Sequence, residues 1–379
     1  MAKNKPRGRG EGSIHQRKDD GRWVASFFVE GTGKRKYLYG KTRKEAYDKL
    51  QKAMRDQEQG KLAMGPQQTV NQYIEDWLEN VHRPALRENS YVLYRQLLDL
   101  HILPTLGHVK LQKLTSQQIQ TLYARKLKDG LSAETVRAMH RLLHKAFDDA
   151  VHWKRMNENP CDNAKQPRKV KYEIHLLTQE QARMMLDVAQ GHTLEALLTM
   201  AVATGMRRGE LLSLKWQDIN VEERRLQIRR TMNRIAGRGI VESEPKTEKS
   251  KRTIMLPQFV IDALMLHRKR QAEIRVKAGS AWQENDLVFP NTIGKFMATQ
   301  DMLNRFKKLL KEAGLPNMRF HDLRHSAATI MLGMGVHPKL VQELLGHSNI
   351  SITLDTYSHV LPSMQRDMMD GLDNLFKKR

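Results

Sequence analysis

The chain has 379 residues, with 65 Lys and Arg against 42 Asp and Glu, for a net charge of +23. At 40% hydrophobic and 28% charged it is too apolar for a disordered basic tail, and its length fits two or three domains of about 150 residues. One cysteine, Cys161, excludes a disulfide framework and Cys-rich zinc fingers. The polar N-terminus and the absence of any run of about 18 apolar residues argue against a secretory signal or a membrane span. The expectation is a cytoplasmic protein that faces a polyanion.

The net charge is +8 over residues 1–60, +6 over 61–170 and +9 over 171–379. An excess spread this way fits several modules that each touch phosphate, where a basic tail alone does not.

In chain order, residues 22–30 and 34–40 read as strands joined by a Gly31–Thr32–Gly33 turn, followed by a helix from Thr42 to about Glu58 with Glu45 as its capping-box partner. Trp23, Phe27, Tyr37 and Tyr39 are expected to form the core of this small unit, with DNA contact as the alternative. Residues 60–68 read as a linker. Four helical stretches lie between Thr69 and Met156, with N-caps at Thr115–Ser116 and Ser132 and a stop at Gly130. Asn159–Pro160 and the basic run 165–171 mark a second boundary. Beyond it, helices begin near Leu177 and Thr193. Two strands, residues 226–233 and 252–257, flank a polar stretch from Ala236 to Lys251. Further helices start near Phe259, Thr299, His321 and Pro338, and Met364–Phe376 reads as a terminal amphipathic helix.

Some motifs fail. Gly31-Thr32-Gly33-Lys34 lacks the first spaced glycine of a phosphate loop and has Arg35 where Ser or Thr belongs. His321 and His325 have zinc-ligand spacing, but Asp322 stands where the zincin glutamate would and no third ligand is evident. His140 and His144 share that spacing and read as a solvated or phosphate-facing surface.

Four stretches carry chemistry together. ATGMRRGELL places Arg207 three residues before Glu210, on one helix face. EPKTEKSKRTIML supplies Lys246 in a polar turn. RFHDLRHSAAT puts His321 and Arg324 three apart, and LLGHSNISITLDTYSH supplies His347 and Tyr357. Two arginines can fork onto one phosphate and stabilise a pentacovalent transition state without metal. A tyrosine is a nucleophile once positive neighbours favour its phenolate, and a lysine or histidine can protonate a leaving 5′-oxygen. Singly, each has a plainer role: a surface ion pair for Arg207–Glu210, a helix cap for His321, a solvated turn for Lys246, a half-buried ring for Tyr357.

The motifs T-G-M-R-R-G-E, P-K-T, H-D-L-R-H and L-L-G-H and the downstream tyrosine, in this order, resemble the tyrosine recombinases of the phage or mobile-element integrase kind. The resemblance spans the whole chain. It implies a multidomain fold: a small α+β arm-binding domain (1–62), an all-α core-binding domain (67–167), and a mainly α catalytic domain with a small β-hairpin or sheet and a C-terminal tail helix (173–379). It implies that Arg207 and Arg324 clamp the phosphate, that Lys246 protonates the leaving 5′-hydroxyl (with Lys249 and Lys251 as competitors), that His321 handles the nucleophile's proton and that His347 hydrogen-bonds the phosphate. Tyr357 would form a 3′-phosphotyrosine bond and Glu210 would support. By spacing to Glu210, Arg207 rather than the adjacent Arg208 is the match. No cofactor and no metal are implied. The partners implied are double-stranded DNA sites of core and arm type, a homotetramer on DNA, and a possible directionality factor or DNA-bending host protein. The tail helix would dock in cis or on a neighbour. A type IB topoisomerase and a non-catalytic DNA-binding architectural protein are the rival readings.

Overall fold

The computed structural model describes residues 12–29, 35–58, 68–169, 172, 174–235, 237–243, 251–346, 349, 369 and 376. The chain divides into two compact units, Met1–Lys171 and Tyr172–Arg379. Among the described residues, no helix is long and apolar enough to cross a membrane.

The first unit opens with an antiparallel sheet of strands β1 (Ser13–Gln16), β2 (Trp23–Phe28) and β3 (Arg35–Gly40), in that order. Helix α1 (Arg43–Glu58) follows, and its first turn is capped by Thr42 Oγ1, which accepts from the Glu45 amide. Glu45 reaches one residue further back than expected, to the Lys41 amide at 2.7 Å. Strand alternation assigns the two faces. Ala25 and Phe27, with Trp23 and Leu38 beside them, pack against Ala46, Leu50 and Ala53 of α1. On the other face Tyr37 pairs with Ser26 and Tyr39 with Val24. Tyr37 and Tyr39 are therefore about half exposed and not part of the core expected for them.

From Thr69 the unit is helical. Helix α2 (Val70–Asp76) starts on a capping box between Thr69 and Gln72 and runs on as a π-helical segment through His82. Helix α3 (Glu88–Leu97) passes through a second π segment into α4 (Leu103–Leu106). Helices α5 (Ser116–Lys128) and α6 (Ala133–His152) begin at the Thr115 and Ser132 caps read from the sequence. Their apolar stripes close one core around Trp77, Tyr73, Leu98, Tyr123 and Phe147. Cys161 is buried in it.

In the second unit α7 (Gln179–Val188) starts on a Thr178 capping box. Helix α8 (Glu195–Thr204) is apolar on all sides and becomes the centre of the core, with α9 (Arg208–Leu212) directly after it. Strands β4 (Ile219–Asn220), β5 (Arg225–Ile228) and β8 (Arg252–Met255) form one antiparallel sheet. Strands β6 (Thr231–Ile235) and β7 (Gly239–Ser243) form a separate hairpin. The stretch read only as polar thus contributes a strand, β7. Helices α10 (Gln258–Ala278), α11 (Thr299–Glu312), α12 (Asp322–Gly333) and α13 (Pro338–Leu345) complete the unit, with α10 and α12 packed against α8.

Candidate active site

The turn between α8 and α9 carries the first arginine. Gly205 ends α8 at φ 60°, and a Cβ there would meet Leu345 Cδ2 at 2.4 Å. Only glycine fits both demands. Gly209 lies so close to β6 that a Cβ would stand 2.6 Å from the Met232 carbonyl. These two glycines explain the spacing of the T-G-M-R-R-G-E motif. Arg207 between them is the N-cap residue of α9, and Glu210 at the third helical position accepts its amide at 2.9 Å and its Nη1 at 2.8 Å.

Arg324 lies on α12, 3% exposed. Its Nη1 donates to the Gly205 carbonyl at 2.8 Å and its Nη2 to the Leu345 carbonyl at 2.7 Å. Arg207 Nη2 donates to the next carbonyl, Gly346, at 3.0 Å. A third arginine, which the motifs did not single out, joins them. Arg252 at the start of β8 donates from Nε to the Leu344 carbonyl at 2.5 Å and through Nη2 to Glu210 Oε2 at 3.1 Å. Three guanidinium groups therefore cap three successive carbonyls at the end of α13, where helix carbonyls have no partner inside the helix. Burial alone would push the Glu210 carboxyl up, but Arg252 and then Arg207 hold it below its ordinary value.

His321 is the N-cap residue of α12 and makes no capping hydrogen bond through its side chain, so helix capping does not account for it. Its ring meets His325 edge-on at 5.1 Å. Desolvation, then the neighbouring His325 and Arg324, lower its pKa to about 4; the side chain keeps solvent contact, which moderates the effect. Asp322 anchors this end of the helix. Fully buried, it accepts from Arg319 Nη2 at 2.8 Å and from the Tyr172 hydroxyl at 3.2 Å, while Arg319 stacks on the Tyr172 ring.

The structure thus brings Arg207, Glu210 and Arg324 together around the end of α13, with His321 one helical turn before Arg324. Lys246, His347 and Tyr357 lie outside the described residues, as does most of the Met364–Phe376 stretch. Arg252 had a signal in the sequence. Ile254 and Leu256 are 1% and 3% exposed, and Arg252 continues their alternation. A charged residue on the inward face of a strand calls for a buried partner. No third His, Cys, Asp or Glu joins His321 and His325 among the described residues. The three-membered group there is His144, Asp148 and Asp162 in the first unit.

Residues 175–364 match the model of the Phage integrase family, and residues 69–127 that of the phage integrase N-terminal SAM-like domain. A tyrosine recombinase XerC-like protein of Caldanaerobacter subterraneus subsp. tengcongensis is 34% identical over 360 residues, covering 90% of this chain and 92% of its own. An integrase of Streptomyces ambofaciens is 30% identical over 390 residues, 99% of this chain and 98% of its own. Among solved structures, the Tn1549 transposon integrase in complex with transposon right end DNA superposes with a TM-score of 0.69 at 24% identity, over 80% of this chain and 99% of that one. A lambda integrase tetramer bound to a Holliday junction gives 0.56 at 18% identity, over 93% and 96%. Fold and sequence together define a tyrosine recombinase, and the chain belongs to the phage integrase family. It is an integrase, an enzyme that breaks and rejoins DNA strands.

Proposed function

We propose that the chain carries out site-specific recombination of a mobile element through Tyr357. The phenolate attacks the scissile phosphorus and the P–O5′ bond breaks. The 3′-phosphate stays on Tyr357, and the 5′-oxygen leaves with a proton from Lys246. His321, held neutral by its low pKa, takes the tyrosine proton. Arg207 and Arg324 balance the charge that grows on the non-bridging oxygens, with His347 as a further donor. The 5′-hydroxyl of a partner duplex then attacks the phosphotyrosine, so the bond energy is kept.

The observation that carries this reading is the convergence of Arg324 and of Arg207, which Glu210 braces, on the carbonyls at the end of α13, directly ahead of the stretch that holds His347 and Tyr357. Residues 1–62 serve arm-type sites, 67–167 the core site and 173–379 the chemistry. The open face of the first sheet supports the first role. It carries Arg35, Tyr37 and Tyr39, and a three-stranded sheet is thin enough for a major groove. The lambda integrase structures solved on DNA as a dimer and as a tetramer favour a homotetramer on paired sites. A cytoplasmic location and a directionality or DNA-bending partner complete the proposal.

The test uses a nicked duplex copied from the junctions of the element that carries the gene. The wild-type chain is expected to form a covalent protein–DNA adduct, and Tyr357→Phe none. An adduct that survives the substitution overturns the nucleophile assignment. On a supercoiled plasmid that carries two such sites, relaxed circles without joined sites would point to a topoisomerase.

A further inference from the structure

Arg252 and Arg207 share one carboxylate but differ in what solvent can reach. The Arg207 side chain is 37% exposed and that of Arg252 is 7%. Arg252 spends its fork inward, with Nη1 and Nη2 on the two oxygens of Glu210 at 3.3 and 3.1 Å and Nε on the Leu344 carbonyl. Its guanidinium also lies flat against the α13 end, so that a Cβ on Gly346 would stand 2.9 Å from Nη1. These contacts place it to orient Glu210 and the end of α13. Three connections meet on it. Through Glu210 it fixes Arg207, through Leu344 it fixes the last turn of α13, and its own strand begins six residues after Lys246.

We propose that Arg252 is a positioning residue for strand cleavage, which locks Glu210, Arg207 and the end of α13 into one unit so that the phosphate-facing arginine is held ready before DNA arrives. The proposal rests on the assignment of Arg207 to the phosphate. The side chain has to be arginine. A lysine keeps the charge but cannot hold two carboxylate oxygens and a carbonyl together in fixed directions. Preset geometry of this kind acts on the transition state more than on binding of the duplex.

The experiment compares full-length Arg252→Lys, Arg252→Met, Arg207→Ala and the double variant Arg207→Ala/Arg252→Met on the nicked junction duplex. Duplex affinity, the first-order rate of adduct formation at saturating protein, and the thermal midpoint are measured. Arg252→Lys is expected to bind within about threefold of wild type and to cleave about 100-fold more slowly. The double variant is expected to be no more than about threefold slower than Arg207→Ala, because both changes remove the same function. A methylphosphonate at the scissile position carries one negative charge fewer. It should restore part of the lost rate in both Arg207→Ala and Arg252→Lys, which a merely weakened fold would not allow.

Cleavage by Arg252→Lys within threefold of wild type overturns the proposal, as do multiplying losses in the double variant. Loss of the folded state in both Arg252 variants also overturns it, because the contact is then one of stability only. Full cleavage by Arg207→Ala would instead remove the phosphate assignment underneath, and the two failures differ in which variant keeps its rate.

Discussion

The helical core between Val70 and Ala164 and the catalytic core between Leu177 and Phe320 and beyond bury their polar groups in opposite ways. In the first, the buried polar contacts are mainly single hydrogen bonds that tie one helix to another. Tyr73 Oη donates to the Ala146 carbonyl at 2.6 Å, Trp77 Nε1 donates to Asp149 at 2.9 Å, and Tyr123 Oη lies 3.1 Å from His140 Nδ1. Its ion pairs keep solvent contact, from Arg141–Glu134, more than half exposed on both sides, to Arg83–Glu88, about a third exposed. In the second, whole charges are buried. Glu210 and Asp322 are 3% and 0% exposed, Arg324 is 3% exposed, and Asp218 pairs with Arg230 inside. Desolvated charge is costly and adds little net stability. Much of it, Glu210, Arg252 and Arg324, surrounds the end of α13 where the chemistry is proposed, while the helical core is arranged for packing.

This contrast can be broken by substitution. The largest effect is expected for Glu210→Ala, which leaves Arg252 buried without its carboxylate. Chemical denaturation, following the transition of the catalytic unit, should show a loss of about 3–5 kcal/mol. Tyr73→Phe removes one buried hydrogen bond from the helical core and keeps the ring, so a loss of about 1–2 kcal/mol is expected. A Glu210→Ala cost no larger than that of Tyr73→Phe would erase the distinction between the two regions.

The smallest effect is one of pH. The folded pKa of His321 lies near 4, below the ordinary imidazole value of about 6.5. As pH falls from about 6.5, the unfolded chain takes up this proton before the folded one does. The stability tied to His321 is therefore fully present above 6.5 and is lost as pH falls toward about 4. In the DNA-free chain the His321 imidazole should titrate, by NMR, with a midpoint below 6.5, and His321→Gln should flatten the acid limb of stability. A midpoint at or above 6.5 would mean that burial and the neighbouring positive charges do not lower the His321 pKa in the folded chain.

Much of the local structure was legible because short-range chemistry sets it. The caps at Thr115 and Ser132 hold, since each side-chain oxygen needs only an amide three residues on. Tyr37 and Tyr39 were misread because β-propensity and aromatic character are the same on either face of a strand. The placement of α1 on the other face decided which rings stayed in solvent. Strand β7 was missed because Gly239–Ser243 has little alternation of its own and is held by pairing with β6.

By itself, the sequence determined the chemistry available to this integrase. The order of Arg207, Glu210, Lys246, His321, Arg324, His347 and Tyr357 names a reaction class before any coordinate is known. The tertiary structure alone decided which arginines share a carboxylate, that Arg252 stands behind Arg207, and that three guanidinium groups meet three successive carbonyls at the end of α13. The reason is range. Motif spacing reports neighbours within a turn or two of helix, whereas Arg252 and Leu344 are 92 residues apart and meet only because β8 and α13 pack together.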